Sequence, residues 1–483
     1  MKKSIWTIIV LVMGLSLVAC GKKANPETDE SAKQVSNNAN NDIGRDPGED
    51  DVSEIAKKLQ VPDSCEITFD TGETKLSSIM LKDEKIDVPK TEDVYMISYD
   101  KVHAPCSEEE LKTIISRLFD ESQGISGRDG VGLQTKYELD NLIKQYEASR
   151  EEALAKGNTQ EAEALGEEID NYKAQREVAP DELPMATQYK INEEYIGKKD
   201  GIERTFKAAS DAENVGMDNY YFVYEMTLKG QADALASEVP GSNSTYEVNV
   251  VGENTYNGDE SNPMDQKEGL DMATKLLDEL GINGFVCKNT EETVRAWTGG
   301  SCGDKVYKKP DGYRYYFSRQ IDGVDVVLSQ ETGMVDNIDT ENLTYKGGRE
   351  MASISVNKAG IVSANVYVYT DEKSFKKETV TLLNWDKMLE AAEQNIAKYY
   401  EKYPTQADKV TFDDVKLAYV PWADEDGKKY LIPAWIFSQN EYNSNYRSDV
   451  PVQLVYINAI DGSYIDILDN MKNLEMYEGV ETK

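Results

Sequence analysis

Tyr313-Arg-Tyr-Tyr-Phe-Ser-Arg-Gln-Ile-Asp-Gly-Val-Asp-Val-Val-Leu328 places two short runs of aromatic and β-branched residues on either side of Asp322-Gly323. Such side chains suit a pleated, half-buried surface, and Asp-Gly is a dipeptide that tight hairpin turns accept. The stretch predicts antiparallel strands over 313–321 and 324–328. The arrangement returns downstream, where Ile354-Ser-Val and Ile361–Tyr369 flank Asn357–Gly360. Upstream, Leu270, Met272, Leu276, Leu277 and Leu280 recur at helical spacing before Gly281, so a helix over 265–280 precedes the strands.

Helix and strands then follow one another a second time. An apolar stripe of helical period runs from Trp385 to Tyr403 and stops at Pro404. Strands are expected over 415–420, 430–438, 452–457 and 464–468, with Asp426-Gly427 and Asp461-Gly462 as turns. The fold class is therefore α+β, with two units, 265–369 and 375–470, each a helix laid across one face of an antiparallel sheet. Leu270 and Leu277 should face the first sheet, and Met388, Ala392 and Ile396 the second. Alternation puts Trp435 and Phe437 on one face of their strand, so Trp435 is expected in the core with its indole N–H paired.

The N-terminal half, 52–255, reads as a further α+β region. Cys65–Phe69 and Val94–Tyr99 have strand character, and Ser107 before three glutamates is a helix cap. Residues 137–177 are strongly helical except at Gly157-Asn158-Thr159, which combines a helix stop with a new cap. An αα-hairpin follows, with Leu139, Leu142, Ile143, Tyr146, Leu154, Leu165, Ile169 and Tyr172 as its apolar stripe. It reads as a solvated insertion, with a partner-binding arm as the sharper alternative. Strands return over 220–228 and 246–251. The polar loop from Val251 to Asp265 marks a boundary. Its Asp259, Glu260 and Asp265 lack the alternation of a calcium loop.

Several fragments of the C-terminal half carry a resemblance. Tyr315–Val327, Ile354–Val362, Leu417-Ala-Tyr-Val-Pro421, Leu431-Ile-Pro-Ala-Trp-Ile-Phe437 and Tyr456-Ile-Asn-Ala-Ile-Asp-Gly462 are similar to the repeated extracytoplasmic unit of the YycH/YycI type. The resemblance implies small PepSY-like domains and, for that family, membrane-anchored regulation of a cell-wall sensor kinase. It rests on turns and strand ends, not on catalytic groups. That family is anchored by a transmembrane helix, and here the start of the chain differs.

Lys2 and Lys3, the apolar run Ile5–Val18 and the closing Leu17-Val18-Ala19-Cys20 form an export signal over 1–19. The last four residues resemble the lipobox of bacterial lipoproteins. This implies cleavage before Cys20, a diacylated cysteine, and a protein held on the outer side of the cell membrane. Residues 20–51 are Asn, Asp, Glu, Ser and Lys with hardly an apolar side chain, and read as a disordered tether. The net charge of −36 repels phosphate backbones and anionic lipid, which excludes nucleic acid as a partner. The expected partners are the membrane, through the lipid, and an envelope protein or sensor.

Beyond Cys20 there remain Cys65, Cys106, Cys287 and Cys302, an even number in an oxidising setting. Three pairings are open, of which the local Cys65–Cys106 and Cys287–Cys302 are the simplest. With His103 as the single histidine and no Cys-x-x-Cys, no metal or other cofactor is expected.

Fragments of catalytic motifs are incomplete. Gly299-Gly-Ser-Cys-Gly303 matches G-x-S-x-G, but no histidine follows it to serve as a base. Ser374-Phe-Lys-Lys377 matches S-x-x-K without its companion motifs and reads as a charged hairpin or helix start. Asp424 and Asp426 sit where a turn is wanted. Tyrosines outnumber phenylalanines 29 to 9, and Trp422 and Tyr430 add to an aromatic cluster suited to wet interfaces or sugar rings. No catalytic residue is assigned. The chain reads as a non-catalytic binding or regulatory module of the envelope, with an extracellular hydrolase of glycans or peptides using paired carboxylates as the alternative. Replacing the lipid-bearing residue, Cys20→Ser, should abolish partitioning into the detergent phase. A Cys20→Ser protein that still fractionates as a processed lipoprotein would refute the anchoring.

Overall fold

A computed structural model describes residues 53–101, 107–128, 133–210, 220–234, 243–247, 261–298, 307–327, 344–345, 350–402, 408–424, 426–438, 454–466, 469–470, 473–474 and 477–478. The first half runs α1 (Glu54–Leu59), β1 (Cys65–Phe69), β2 (Ser78–Asp83), β3 (Tyr95–Lys101), α2 (Glu108–Leu118), β4 (Ser126–Arg128), α3 (Lys136–Ala155) and α4 (Thr159–Val178). There follow β5 (Glu194–Lys199), β6 (Ile202–Ser210), β7 (Tyr220–Met226), α5 (Leu228–Ala234) and β8 (Asn243–Glu247). The second half begins with α6 (Gln266–Glu279), β9 (Phe285–Thr298), β10 (Tyr307–Ile321), β11 (Val324–Asp325), β12 (Thr344–Tyr345), β13 (Met351–Asn357), β14 (Gly360–Val368) and β15 (Thr370–Thr379). It closes with α7 (Trp385–Lys402), β16 (Lys409–Phe412), β17 (Asp414–Ala423), β18 (Lys429–Ser438), β19 (Leu454–Asn458), β20 (Tyr464–Ile465) and β21 (Tyr477–Glu478). Helices and large antiparallel sheets make the chain α+β.

The hairpin that opened the sequence reading is present: β10 pairs with β11 antiparallel, Ile321 opposite Val324, and Asp322 and Gly323 both adopt positive φ. Its first strand begins earlier than the pattern suggested, at Tyr307, and pairs along its length with β9, which the sequence did not announce. A ten-stranded sheet grows outward from this pair in the order β4-β5-β6-β7-β14-β13-β10-β9-β8, with β11 attached to β10.

The strands cross the boundaries drawn from the sequence. β7 pairs with β14 over Tyr220–Glu225 and Ser363–Val368, so the intervals 52–255 and 265–369 share one sheet. Likewise β3 lies between β15 and β18 in the six-stranded sheet, whose order is β15-β3-β18-β19-β20 with β17 on the other edge of β18. A three-stranded sheet places β16 beside β2, in parallel. The pairings β7–β14, β3–β15, β3–β18 and β2–β16 join strands far apart in the chain, which local periodicity does not encode.

Helix α6 lies on the large sheet as its spacing required. Ala273, Leu276 and Leu277 are buried, Leu270 and Met272 half-buried, against Tyr315, Phe317, Ile354 and Val366. A Cβ on Gly269 would stand 2.3 Å from the Tyr315 hydroxyl, so only glycine admits this approach; that hydroxyl donates to Gln266 O at 2.6 Å. Helix α2 shares the same core through Leu111, Ile114, Ile115 and Leu118. Helix α7 covers the six-stranded sheet with Met388, Ala392 and Ile396, all fully buried.

Trp435 is fully buried and packs edge-on to Trp385, centroids 5.4 Å apart. Its Nε1 has no hydrogen-bond partner, contrary to expectation, because apolar and aromatic side chains surround it. Because β2 and β3 complete the sheets of this region, Trp435→Ala should be measured in the whole mature chain. Loss of a fully buried indole is expected to cost ~3–5 kcal/mol, and an unchanged denaturation midpoint would show that the indole is not part of the core.

Candidate functional site

Side chains singled out for chemistry are, where described, held in structural bonds. Ser374 lies in β15, a lysine-bearing edge strand and not a helix start, and its Oγ donates to Asp371 O (2.6 Å) and accepts from Asp100 N (2.7 Å). Asp424 Oδ1 accepts from Asp426 N and Lys428 N and so closes the turn at Gly427. Asp265 is the N-cap of α6, accepting from Glu268 N at 2.9 Å. Trp422 and Tyr430 form a tilted cross-strand pair at 5.8 Å, half-buried, with Lys428 over the Tyr430 ring. Cys65 and Cys287 are half-buried free thiols, each raised in pKa chiefly by burial. Cys106 and Cys302, their expected partners, lie outside the described residues, as do Cys20, His103, Asp259, Glu260 and Gly299–Gly303. Among the described residues no three metal-ligating side chains converge, and no helix is long and apolar enough to cross a membrane.

Three carboxyls, Asp83, Glu225 and Glu350, are displaced upward chiefly by burial, Glu225 also by the neighbouring Glu194. Asp83 accepts from Val415 N (2.8 Å) and Lys85 N (2.9 Å), tying β2 to the start of β17. Glu350 is fully buried beside Arg319; burial raises its pKa, opposed by the guanidinium and by Thr370 Oγ1, which donates at 2.7 Å. Arg319 also donates to Asn283 O and reaches Glu372 at 3.4 Å. Asp83 ends β2 in the three-stranded sheet and Glu350 lies just before β13 of the large one, each with its own structural partners. They do not form a catalytic pair.

Arg319 was not singled out from the sequence, although a signal for it exists. Tyr315, Phe317, Arg319 and Ile321 share one parity along β10, and all four are buried. A cation at an inward position needs a buried acid or a set of carbonyls to receive it, as Arg204 has in Lys199 O, Ala359 O and Ile361 O.

What projects outward is the helical hairpin, inserted between β4 and β5 at the edge of the large sheet. Thr135 caps α3 in a capping box with Glu138, and Asn158 caps α4 after Gly157, whose φ is +75°. The helices pack chiefly on each other, through Leu139, Ile143, Ala153, Ala162 and Ile169 and through an edge-on Tyr146–Tyr172 pair at 5.2 Å. Lys173–Glu147 and Arg176–Asp140 bridge them. At the base, Lys136 N donates to Pro180 O (3.0 Å), and Arg128 of β4 pairs with Glu138 and Glu194. The exposed large hydrophobic side chains among the described residues all belong to this arm and its base: Leu133, Tyr137, Leu154, Val178 and Met185. The hairpin was legible from its caps; the gathering of apolar residues where it joins the sheet was not.

No family model matches the chain, and no curated protein matches it. Among solved structures it is similar to the crystal structure of an uncharacterized protein from Eubacterium rectale ATCC 33656. The two are 12% identical over 86% of this chain and 99% of that one, with a TM-score of 0.36.

The Arg319–Glu350 pair yields a test of its role. Arg319→Met leaves a buried carboxylate without its cation and should cost ~3–5 kcal/mol, whereas Arg319→Met with Glu350→Met should recover most of that loss. Chemical denaturation of the three proteins decides it: a double variant as unstable as the single one would mean that the pair is not the unit of stability.

Proposed function

We propose that this chain is a lipid-anchored, extracytoplasmic, non-catalytic module of the cell envelope, acting by binding and regulation. The observation that carries the reading is the distribution of side chains. Candidate acids and hydroxyls are committed to turns, caps and strand junctions, while among the described residues the exposed large apolar side chains lie on one arm and at its base. Exposed apolar side chains concentrated on one element are the mark of a surface that meets another molecule. The leader ending in Cys20 supports the address, and the polar stretch over 20–51 supports a tether that holds the folded body clear of the lipid. The regulatory part of the reading rests on the resemblance of the C-terminal fragments to YycH/YycI-type domains. With lipid in place of a transmembrane helix, contact with a sensor would be made by the folded body itself.

Photocross-linkers placed in turn at exposed positions of the arm and of the sheets, for example at Val178 and at Glu66, test this on intact cells. A discrete protein adduct from at least one surface is expected, absent from cells making Cys20→Ser protein. If every position gives only diffuse labelling while the purified chain cleaves envelope glycans or peptides, the binding reading is wrong.

A further inference from the structure

The arm carries charge as well as apolar residues, and the two together specify a partner. Between residues 136 and 178, acidic side chains outnumber basic ones by eleven to six. Five of the six cations are already engaged: Lys136 with Asp181, Lys156 with Glu152, Lys173 with Glu147, Arg176 with Asp140, and Arg150 with the carbonyl of Ala162. Four of the remaining acids form a row. Glu163, Glu167, Asp170 and Glu177 are spaced i, i+4, i+7, i+14 along α4, which puts them on one face. That face flanks Ala162 and Ile169, the residues by which α4 packs on α3, about a quarter-turn round the helix, and all four acids are exposed. Val178, 86% exposed, ends the row at the base of the arm, near the point where Lys136 N, beside Tyr137 in the first turn of α3, meets Pro180 O. The row spans about 22 Å at ~1.5 Å per residue.

We infer that the acidic face of α4 with the apolar base of the arm is a docking surface for a basic protein segment carrying an apolar anchor. This rests on the binding-module reading and names the chemistry of the partner. The row of exposed carboxylates selects a cationic occupant and orients it, and Tyr137 and Val178 bury its anchor. A second copy of this chain would set like charges face to face, and an anionic lipid surface or nucleic acid would be repelled in the same way.

The test uses the mature chain and a synthetic peptide of ~18 residues, about five helical turns, with lysines on one face and two leucines at one end. Two control peptides have glutamate for lysine or serine for leucine. Peptide affinity is read by fluorescence anisotropy, and its location by hydrogen exchange. The Lys/Leu peptide is expected to bind at least ~10-fold more tightly than either control, a difference of about 1.4 kcal/mol, and to slow exchange over 133–185. Tyr137→Ser with Val178→Ser leaves the net charge unchanged and should lose that ~10-fold. Changing the four acids to their amides should weaken binding and flatten its salt dependence. If the serine pair loosens the arm, the single Val178→Ser variant, at a fully solvated position, replaces it.

Equal affinity for the wild-type and serine variants would reduce the effect to general attraction toward an acidic chain and overturn the inference. Protection elsewhere would also overturn it while leaving the binding-module reading intact. So would a dimer in sedimentation that Val178→Ser abolishes, or capture by phosphatidylglycerol vesicles in preference to the peptide.

Discussion

Tyr369 is the single residue between β14 and β15, and the chain changes sheets there. β14 is an inner strand of the ten-stranded sheet, paired on both sides, and β15 is the edge of the six-stranded one. The ends of both sheets converge at this seam, and backbone and side-chain polar groups must be satisfied away from water. Arg319 from β10, Glu350 at the entry to β13 and Thr370 at the start of β15 answer that demand with one buried network. Tyr369 is buried beside them and donates to Leu474 O, so the end of the chain is drawn to the same place. A buried ion pair adds little net stability over an apolar substitute, but it penalises every arrangement that separates its members. Its contribution here is to make one relation of strands preferable to its alternatives.

The two large sheets use a second constraint of the same kind. β18 is paired along its length by β17, while its other edge is divided between β3 at Tyr430 and Leu431 and β19 from Ala434 to Ser438. Removing β3 would open the edge of a strand buried from Leu431 to Ser438. The N-terminal half is thus part of the C-terminal core, and the units that repeat in sequence do not close by themselves.

The arm obeys the opposite rule. Its apolar contact is a narrow seam of alanines, a few aliphatics and one tyrosine pair, and its helices rest mainly on each other. A two-helix element with so little buried surface draws stability from caps, interhelical ion pairs and its attachment to β4. Such an element can open locally at small cost without disturbing the sheets.

Local physics made much of this readable from the sequence. Caps at Ser107 and Asn158, the stop at Gly157, the stripes of α6 and α7 and the Asp322-Gly323 turn depend on residues within a few positions of one another, and the sequence alone determined them. The α+β class follows from these elements. What decided the rest was pairing between distant strands. Whether Tyr220–Glu225 would find Ser363–Val368, or Tyr95–Lys101 would lie between β15 and β18, depends on which edges remain open once the other strands have paired. A period of two is satisfied by any partner of matching parity, so it carries no address. The same holds for Arg319: its parity shows that it points inward, but only the assembled sheets put Glu350 there to meet it.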